Sequence, residues 1–362
     1  MTKARDLSQI PNATLAFRNR IINGDCRIDQ RNAGASVTIT NTGANTYTLD
    51  RWFAYGSAAS KFSVQQDAGA VTPPTGFTDY LGVTSLAATS VGSSDQYVIG
   101  HFIEGFNSAD LAWGTANAAT VTMSFWVRSS LTGTFGGVLR NSGFNRSYPF
   151  SYTINAANTW EQKSITIVGD TAGTWLTTNG VGIGIYFGLG VGSSLSGTAG
   201  SWSGSNFTSV TGATSVVGTN GATFYITGVQ LEKGSTATSF DYRPYGTELA
   251  LCQRYFYSLD RLAGQTTNFA VGTCYGNDWI YIASGNRHPV EMRAVPTVST
   301  VSTFRVEDAY STSWTVSQVT ASTSTRNIFN PSIQLTTTAP AGRLVYLQAT
   351  SDSSRLNFSS EL

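Results

Sequence analysis

Residues 120–130, with the sequence TVTMSFWVRSS, indicate the fold class of this protein most directly. Apolar side chains occupy alternate positions of the stretch, at Val121, Met123, Phe125 and Val127. This period of two is typical of a β-strand that buries one face. Trp126 and Arg128 fall on the opposite parity and are predicted to stand on the other face of the same strand.

The same alternation recurs along the chain, in KFSVQQ (61–66), TWEQKSITIVGD (159–170) and ATFYITGVQL (222–231). Glycine-rich turns separate these runs, and no helical pattern lies between them. Short strands joined by such turns predict an antiparallel β-sandwich. Alternation resumes after residue 260 and predicts a second, smaller β-sandwich domain.

Composition excludes several classes of function. The length of 362 residues favours about two domains. A net charge of +1, with no basic run interleaved with aromatics, argues against a nucleic-acid partner. No apolar run is long enough for a signal peptide or a membrane span, so we expect a product made in the cytoplasm without membrane insertion. The cysteines are far apart in sequence and are predicted to be buried free thiols: Cys26, Cys252 and Cys274.

Residues 180–192, GVGIGIYFGLGVG, predict an unusual strand. One face carries a continuous apolar ridge, whereas the other is bare backbone apart from Tyr186. Glycine within a strand often marks the close approach of another part of the structure. Two interpretations stay open: a loop or second layer packs on the bare face, or that face is a platform for a ligand or a neighbouring subunit.

Residues 246–260 contain the best helix candidate of the chain. Pro244 and Gly246 interrupt the preceding strand, Thr247 is a candidate cap, and Glu248 in the first turn suits the helix dipole. Apolar residues occur on two sides of this predicted helix, which favours a position between the two domains or against a neighbouring chain: Leu249, Leu251, Cys252, Tyr255, Phe256 and Leu259.

Motifs for catalysis are absent from the sequence. His101 and His288 have no metal ligand at suitable spacing and are expected in surface or turn positions. No nucleophile elbow or phosphate-binding loop occurs. A glycosidase needs a pair of carboxylates, and the candidates considered are better interpreted as solvated turn residues: Asp95, Glu104, Glu307 and Asp308. The sequence therefore predicts neither an enzyme nor a bound cofactor or metal.

Aromatic residues give a more natural hypothesis, because sugar rings stack their C–H faces on tryptophan and tyrosine. The candidates for carbohydrate stacking, with one neighbouring arginine, are Trp113, Trp126, Arg128, Trp175, Tyr186 and Trp202. The alternative for each tryptophan is a position in the core or under a loop.

Several longer motifs resemble one known family. In chain order they are FRNRIINGDCRIDQRNAG (17–34), YTLDRWF (47–53), TMSFWVRSS (122–130), NTWEQKSITIVGD (158–170), FYITGVQLEKGSTATSFDYRPYGTELALCQRYF (224–256), VEMRAVPTV (290–298) and SSEL (359–362). Their order and spacing resemble bacteriophage tail-fibre and virion structural proteins. In that family a jelly-roll domain similar to carbohydrate-binding modules precedes a short helix and a C-terminal β domain.

The resemblance implies four segments: an N-terminal attachment segment (1–16), a jelly roll (17–245), a linker helix (246–260) and a C-terminal β domain (261–362). It also implies a non-enzymatic virion protein, a tail fibre or appendage that is often a homotrimer. Expected partners are other virion proteins, through the N-terminal segment, and bacterial surface polysaccharide. The alternatives are a purely architectural virion protein, such as a capsid decoration or adaptor, and a polysaccharide-degrading tailspike.

The sequence departs from the family at one point. Many carbohydrate-binding jelly rolls hold a structural calcium ion through an Asn-Gly-Asp loop and an aspartate of the last strand. Asn23, Gly24 and Asp25 match that loop, but Thr227 and Gly228 stand where the second acid is expected. The resemblance therefore does not carry calcium over to this chain.

Overall fold

The computed structural model describes residues 18–260, 268–274, 278–281, 286–321 and 324–362. The predicted N-terminal attachment segment, residues 1–16, lies outside the described residues. The chain divides into two compact units, with the division between Arg243 and Pro244. Among the described residues, no helix has the length and apolar character needed to span a bilayer.

The strands of the first unit are, in chain order, β1 (Val37–Thr38), β2 (Thr46–Tyr47), β3 (Trp52–Gly56), β4 (Phe62–Gln66), β5 (Leu81–Ser85), β6 (Gln96–Glu104), β7 (Val121–Ser129), β8 (Gly133–Arg140), β9 (Ser147–Ile154), β10 (Glu161–Ile167), β11 (Val181–Val191), β12 (Ser196–Gly197), β13 (Ser209–Val210) and β14 (Thr223–Lys233). Short 3-10 helices occupy Ala68–Ala70, Gly105–Asn107, Ala109–Leu111 and Ser193–Leu195.

Twelve of these strands form two six-stranded antiparallel sheets, and β12 and β13 form a separate parallel pair. Sheet A has the order β1-β4-β5-β14-β7-β10, and sheet B the order β2-β3-β6-β11-β8-β9. The chain passes between the sheets repeatedly, for instance from β5 to β6 and back to β7. Such crossings between two antiparallel sheets are characteristic of a jelly roll. The predicted antiparallel jelly-roll sandwich is confirmed.

The core of the first unit lies between the sheets. Phe125 and Val127 of β7 are fully buried, as are Ile185 and Phe187 of β11. Phe125 and Phe187 meet edge to face at 5.2 Å between ring centroids. Because alternate residues of a strand point to opposite sides, this places Trp126 on the outer face of sheet A and Tyr186 on the outer face of sheet B.

The helix is shorter than predicted. Helix α1 (Tyr245–Gln253) begins after Pro244, and Thr247 lies inside it with its N–H donated to the Pro244 carbonyl, so Thr247 is not the cap. Residues 256–260 form strand β15 (Phe256–Asp260) and not helix. Two consecutive aromatic residues at its start favour a strand, and the strand pairs with residues 355–359, which no local pattern reveals.

The predicted helix residues are divided between these elements. Of the apolar set, Cys252, Tyr255 and Phe256 are buried, while the others are half-buried: Leu249, Leu251 and Leu259. The role of this segment between domains or between subunits stays a prediction.

After helix α1, the described residues of the second unit also form β-strands, as predicted. Its strands after β15 are β16 (Asn268–Cys274), β17 (Trp279–Tyr281), β18 (Asn286–Arg287), β19 (Thr297–Val301), β20 (Phe304–Asp308), β21 (Ser313–Ala321), β22 (Ile328–Phe329), β23 (Pro331–Leu335), β24 (Leu344–Ala349) and β25 (Arg355–Ser359).

Within the described residues, six of these strands close into a barrel of order β16-β17-β23-β21-β20-β24, and β15-β25-β19 form a separate sheet. The sequence indicated a second sandwich here, and the difference has a simple reason. Residues alternate between inside and outside in a barrel as they do in a sandwich, so the period of two does not distinguish the arrangements.

Candidate functional site

A cleft of about 310 Å³ opens on the outer face of sheet B, around Tyr186. We call it the Tyr186 cleft. Its lining comes from β3, β6, β8, β11 and the segments around them, at Gly43, Ala44, Asn45, Tyr55, Gln96, Val98, Phe102, Arg140, Phe144, Tyr186 and Asn206. One of the predicted stacking candidates, Tyr186, therefore lies in a concave site, where ligands are usually bound.

The glycine face of β11 explains why Tyr186 lies in a cleft. A Cβ atom on Gly182 would stand 2.3 Å from Ser108 Oγ, and one on Gly188 would stand 2.7 Å from Ser209 Oγ. The segment around Ser108 and strand β13 therefore pack on the bare backbone on the two sides of Tyr186, which side chains at these glycines would prevent. This cover accounts for the two glycines, while Tyr186 between them is 3% exposed and lines the cleft.

The floor of the cleft is aromatic. Tyr186 meets Phe53 edge to face at 5.4 Å and Phe102 at 6.0 Å between ring centroids. Gly100 makes this packing possible, because a Cβ there would stand 2.4 Å from Phe53 Cζ and 2.6 Å from the Ile185 carbonyl oxygen. Burial raises the pKa of Tyr186, so its phenol is neutral at physiological pH.

Arg140, at the end of β8, lies between two aromatic rings. Its Cζ atom stands 4.0 Å from the Tyr186 centroid and 4.4 Å from the Phe144 centroid. Both distances are within the range of cation–π contact, which holds the guanidinium plane in place. Arg140 is only 7% exposed, whereas Phe144 is 48% exposed and offers its ring to ligand at the edge of the cleft.

Polar atoms surround this aromatic floor. Arg140 Nη1 donates to Asn206 Oδ1 at 2.6 Å. Within residues 18–243, Arg140 Nε and Gln96 Oε1 are buried without a hydrogen-bond partner. Arg140, Gln96 and Asn206 therefore give the cleft a polar wall. Together with the aromatic rings they suit a ligand that is apolar on one face and rich in hydroxyls at its edge.

Three of the predicted stacking residues form a cluster elsewhere. The ring centroids of Trp113, Trp175 and Trp202 lie 4.7–5.4 Å apart, and all pairs meet edge to face. Each indole N–H donates within the protein, to the Ala119 carbonyl from Trp113 and to the Val168 carbonyl from Trp202. Trp113 and Trp175 are buried. This geometry favours the alternative of a core cluster over a sugar-stacking surface.

Trp126 and Arg128 lie on the opposite side of the sandwich from Tyr186. Both are half-buried on the outer face of sheet A. Arg128 stacks over Tyr225 at 5.4 Å and donates from Nε to the Asn158 carbonyl. They are therefore not brought together with the Tyr186 cleft, and whether they bind a sugar stays a prediction.

Sequence reasoning missed Arg140, Phe144 and Asn206. The only local signal was Phe144, an apolar residue within the polar turn NSGFNR (141–146). Phe144 adopts a left-handed φ of 55°, which is uncommon for an aromatic residue and holds its ring against Arg140. Asn206 comes from a loop 60 residues further along, and its position depends on the tertiary fold.

The acids considered for catalysis are separated or engaged. Asp95 immediately precedes the nine-residue strand β6 and Glu104 is its last residue, so their backbones are about 30 Å apart at the usual rise per residue. In the second unit, Glu307 pairs with Arg305 at 2.7 Å, and Asp308 pairs with Arg343. These pairings give no support to a hydrolytic pair at these positions.

Both histidines are buried, in contrast to the expected surface or turn positions. His101 Nε2 donates to the Ile22 carbonyl at 3.0 Å, and its ring packs edge to face on Trp52. Burial lowers the pKa of His101 well below its usual value, so the ring is neutral. His288 is hydrogen-bonded through Nδ1 to the Tyr257 hydroxyl at 2.6 Å. Packing in a core thus accounts for both residues.

The Asn-Gly-Asp loop is held by protein contacts. Thr227 Oγ1 donates to the backbone carbonyls of Asp25 and Asp79, and the Asp25 carboxylate pairs with Arg27 at 3.0 Å. Across the described ranges, no group of three or more histidine, cysteine or acidic side chains is placed to hold a metal ion. The cysteines Cys26, Cys252 and Cys274 are free and buried, as predicted.

Comparison with known proteins gives remote structural likenesses. The chain matches no protein-family model and no curated protein sequence. Among solved structures, it is similar to the enzymatically active domain of tailspike protein 4 from bacteriophage CBA120, with a TM-score of 0.34 and 11% identity over 60% of this chain and 21% of the tailspike chain. The match thus spans about a fifth of the tailspike chain.

Two carbohydrate-binding modules are also similar. A family 61 module solved with β-1,4-galactotriose gives a TM-score of 0.30 and 10% identity over 60% of this chain and 99% of the module. A family 11 module from Clostridium thermocellum, solved with a mixed-linked tetrasaccharide, gives a TM-score of 0.27 and 10% identity over 57% of this chain and 97% of the module. At these identities and TM-scores the likenesses carry no information about ligand or activity.

Proposed function

We propose that this protein binds a bacterial surface glycan without cleaving it, through the Tyr186 cleft. The observation that carries the proposal is the arrangement of Tyr186, Arg140 and Phe144, in which a guanidinium lies between two aromatic rings at the wall of an open cleft. Proteins hold saccharides with this combination of aromatic faces and planar hydrogen-bonding groups. The exposed ring of Phe144 supplies the stacking surface, and Arg140, Gln96 and Asn206 supply hydrogen bonds.

The wider setting of the proposal is a tailed-phage virion. The motif resemblance supports a tail fibre or appendage that is assembled as a homotrimer and attached through residues 1–16. A single cleft of this size makes a limited number of contacts, so one copy binds weakly. Three copies on one appendage raise the overall avidity by orders of magnitude without any new contact.

A non-enzymatic role is part of the proposal. The separation of Asp95 from Glu104 along β6 supports it, because both glycosidase mechanisms place their carboxyl groups within about 10 Å of each other. Within the described part of the chain, no acidic residue lines the cleft. Incubation of the full chain with a glycan that it binds is therefore expected to release no new reducing ends. Their release would identify a tailspike enzyme.

The binding test uses two exposed phenylalanines. The full chain and its variants Phe144→Ala and Phe106→Ala are applied to an array of bacterial lipopolysaccharides and capsular polysaccharides. Phe106 is 60% exposed and does not line the cleft, so it is a matched control for Phe144. Loss of one aromatic contact is expected to weaken binding about 3- to 10-fold for Phe144→Ala. Phe106→Ala is expected to bind like the parent.

Equal binding by both variants would remove the Tyr186 cleft from the proposal. Absence of binding to every polysaccharide, for the assembled oligomer, would contradict glycan recognition altogether. Electron microscopy of antibody-labelled virions tests the setting, with label expected on a tail appendage. Label on the capsid would favour the architectural alternative.

A further inference from the structure

The charge balance of the Tyr186 cleft points to the class of its ligand. Among the described residues that line the cleft, Arg140 is the one cation, and none is an acid. Burial of a cation costs free energy unless an anion or several hydrogen bonds compensate it. The contacts that the protein makes with the Arg140 guanidinium therefore show whether its charge is balanced or whether a ligand has to supply an anion.

The compensation by the protein is incomplete. The hydrogen bonds of Arg140 go to neutral oxygen atoms, of the Asn206 amide and the Tyr186 hydroxyl, and its Nε is buried without a partner. Within the described part of the chain, no carboxylate forms an ion pair with Arg140. Contact with the rings of Tyr186 and Phe144 offsets part of the cost and fixes the guanidinium, but it does not neutralise the charge.

Other arginines of the same unit show the contrast. Arg20 is as deeply buried as Arg140, and it pairs with Asp110 through two hydrogen bonds of 2.7 and 2.8 Å. Arg146, six residues after Arg140, forms two hydrogen bonds with Asp170. Arg140 is thus a buried guanidinium that has been fixed in place without an acid, at the wall of an open cleft.

We propose that the Tyr186 cleft takes an acidic saccharide and that Arg140 pairs with its carboxylate. The planar guanidinium matches a carboxylate in shape, and charge-assisted hydrogen bonds donated by it would compensate the buried charge. The sugar ring then stacks on Phe144. Uronic acids and sialic acids have this chemistry. The inference rests on the proposed function, since it specifies the ligand of the same cleft.

Chemical reduction of the glycan carboxyl groups distinguishes recognition of an acidic saccharide from glycan binding in general. The full chain is titrated by affinity electrophoresis with hyaluronan, alginate, polygalacturonate and polysialic acid, and with dextran and galactan as neutral probes. Each acidic polymer that binds is tested again after reduction of its carboxyl groups to alcohols. We expect binding to at least one acidic polymer and at least tenfold weaker binding after reduction, with the native affinity falling as salt is raised.

The other outcomes are distinct. Equal binding before and after carboxyl reduction, or binding to the neutral probes alone, overturns the acidic ligand and leaves glycan binding intact. Binding to none of the acidic or neutral polymers counts against both proposals together.

Variants at the rim test the charge without disturbing the packed arginine. Asn45 is exposed at the cleft. Asn45→Asp is expected to weaken binding of the acidic polymer about twofold or more, and Asn45→Lys to strengthen it similarly, with little effect on the carboxyl-reduced polymer. Asn117→Asp, at an exposed position that does not line the cleft, is the control. Equal affinities of Asn45→Asp and Asn45→Lys for the acidic polymer would overturn the inference.

Discussion

Replacement of Arg146 by alanine is the most informative single perturbation of the first unit. Arg146 Nε donates to Asp170 Oδ2 at 2.7 Å and Nη2 donates to Asp170 Oδ1 at 2.5 Å. The Asp170 side chain is 1% exposed and that of Arg146 is 20% exposed. Arg146→Ala therefore leaves a buried carboxylate without its cation.

The magnitude follows from what Asp170 retains. Removal of one partner from a buried ion pair costs about 3–5 kcal/mol. Asp170 still accepts from Trp175 Nε1 at 3.3 Å and from the Ala172 N–H at 3.1 Å. Water also reaches the position of Arg146, because that side chain is partly exposed. We therefore expect the lower end, a loss of about 3 kcal/mol in the free energy of unfolding.

The ion pair also supports the candidate site. Asn141 Oδ1 accepts from the backbone N–H groups of Asn145 and Arg146, and these contacts hold the turn that carries Phe144. Loss of the Arg146 anchor should let this turn move, so glycan binding should weaken in Arg146→Ala even at temperatures where the unit stays folded.

Urea denaturation followed by tryptophan fluorescence measures the effect, because Trp175 is hydrogen-bonded to Asp170. In a thermal melt, about 3 kcal/mol corresponds to a shift of about 6–12 °C for a unit of this size. Lys233→Ala is the control, since Lys233 pairs with Asp110 at 3.7 Å with both side chains about half exposed, and its loss should cost less than about 0.5 kcal/mol.

A double variant tests the reasoning itself. In Arg146→Ala/Asp170→Asn no charge is left buried, so part of the lost stability should return. A loss below about 1 kcal/mol for Arg146→Ala, or a double variant less stable than Arg146→Ala, would refute the assignment of the cost to a stranded carboxylate.

Two further predictions concern stability. Burial, with a contribution from the neighbouring Asp79, raises the pKa of Asp67 from 3.8 to about 6. Folding therefore favours the protonated carboxyl, and the contribution of Asp67 to stability is lost as the pH rises from about 4 to about 6. Asp67→Asn should therefore raise the melting temperature at pH 7 relative to the parent but not at pH 4, and an equal shift at both pH values would contradict this. Gly100→Ala would force a Cβ against Phe53 and the Ile185 carbonyl, which should lower the free energy of unfolding by about 1–3 kcal/mol and weaken glycan binding. Gly204→Ala is the control: its Cβ would have its nearest neighbour at 3.9 Å, so this variant should melt like the parent.

The alternation of apolar residues predicted the strands well. Val121–Ser129 is a strand with Phe125 and Val127 in the core, as the sequence indicated. A strand buried on one face specifies its own parity, because a shift of one residue would expose the apolar set. The same reasoning placed Tyr186 alone on the glycine face of β11. Local pattern was sufficient for these conclusions, since each depends on residues within one strand.

The end of the helix shows a limit of prediction from the local sequence pattern. Residues 256–260 continue an apolar spacing that suits a helix, yet they pair with residues 355–359 as a strand. The backbone hydrogen bonds of a sheet join segments that are far apart in sequence, so the residues near 256 do not reveal that their partner strand is residues 355–359. The closure of the second unit into a barrel is of the same kind.

The candidate site divides in the same way. The sequence by itself determined an all-β chain and one tyrosine standing on bare backbone. Only the tertiary structure decided that Trp113 and Trp175 pack inside and that Arg140, Phe144 and Asn206 meet at Tyr186. The reason is that the side chains of a cleft come from several strands and loops, and their positions depend on strand order and register, which follow from the packing of the whole sandwich.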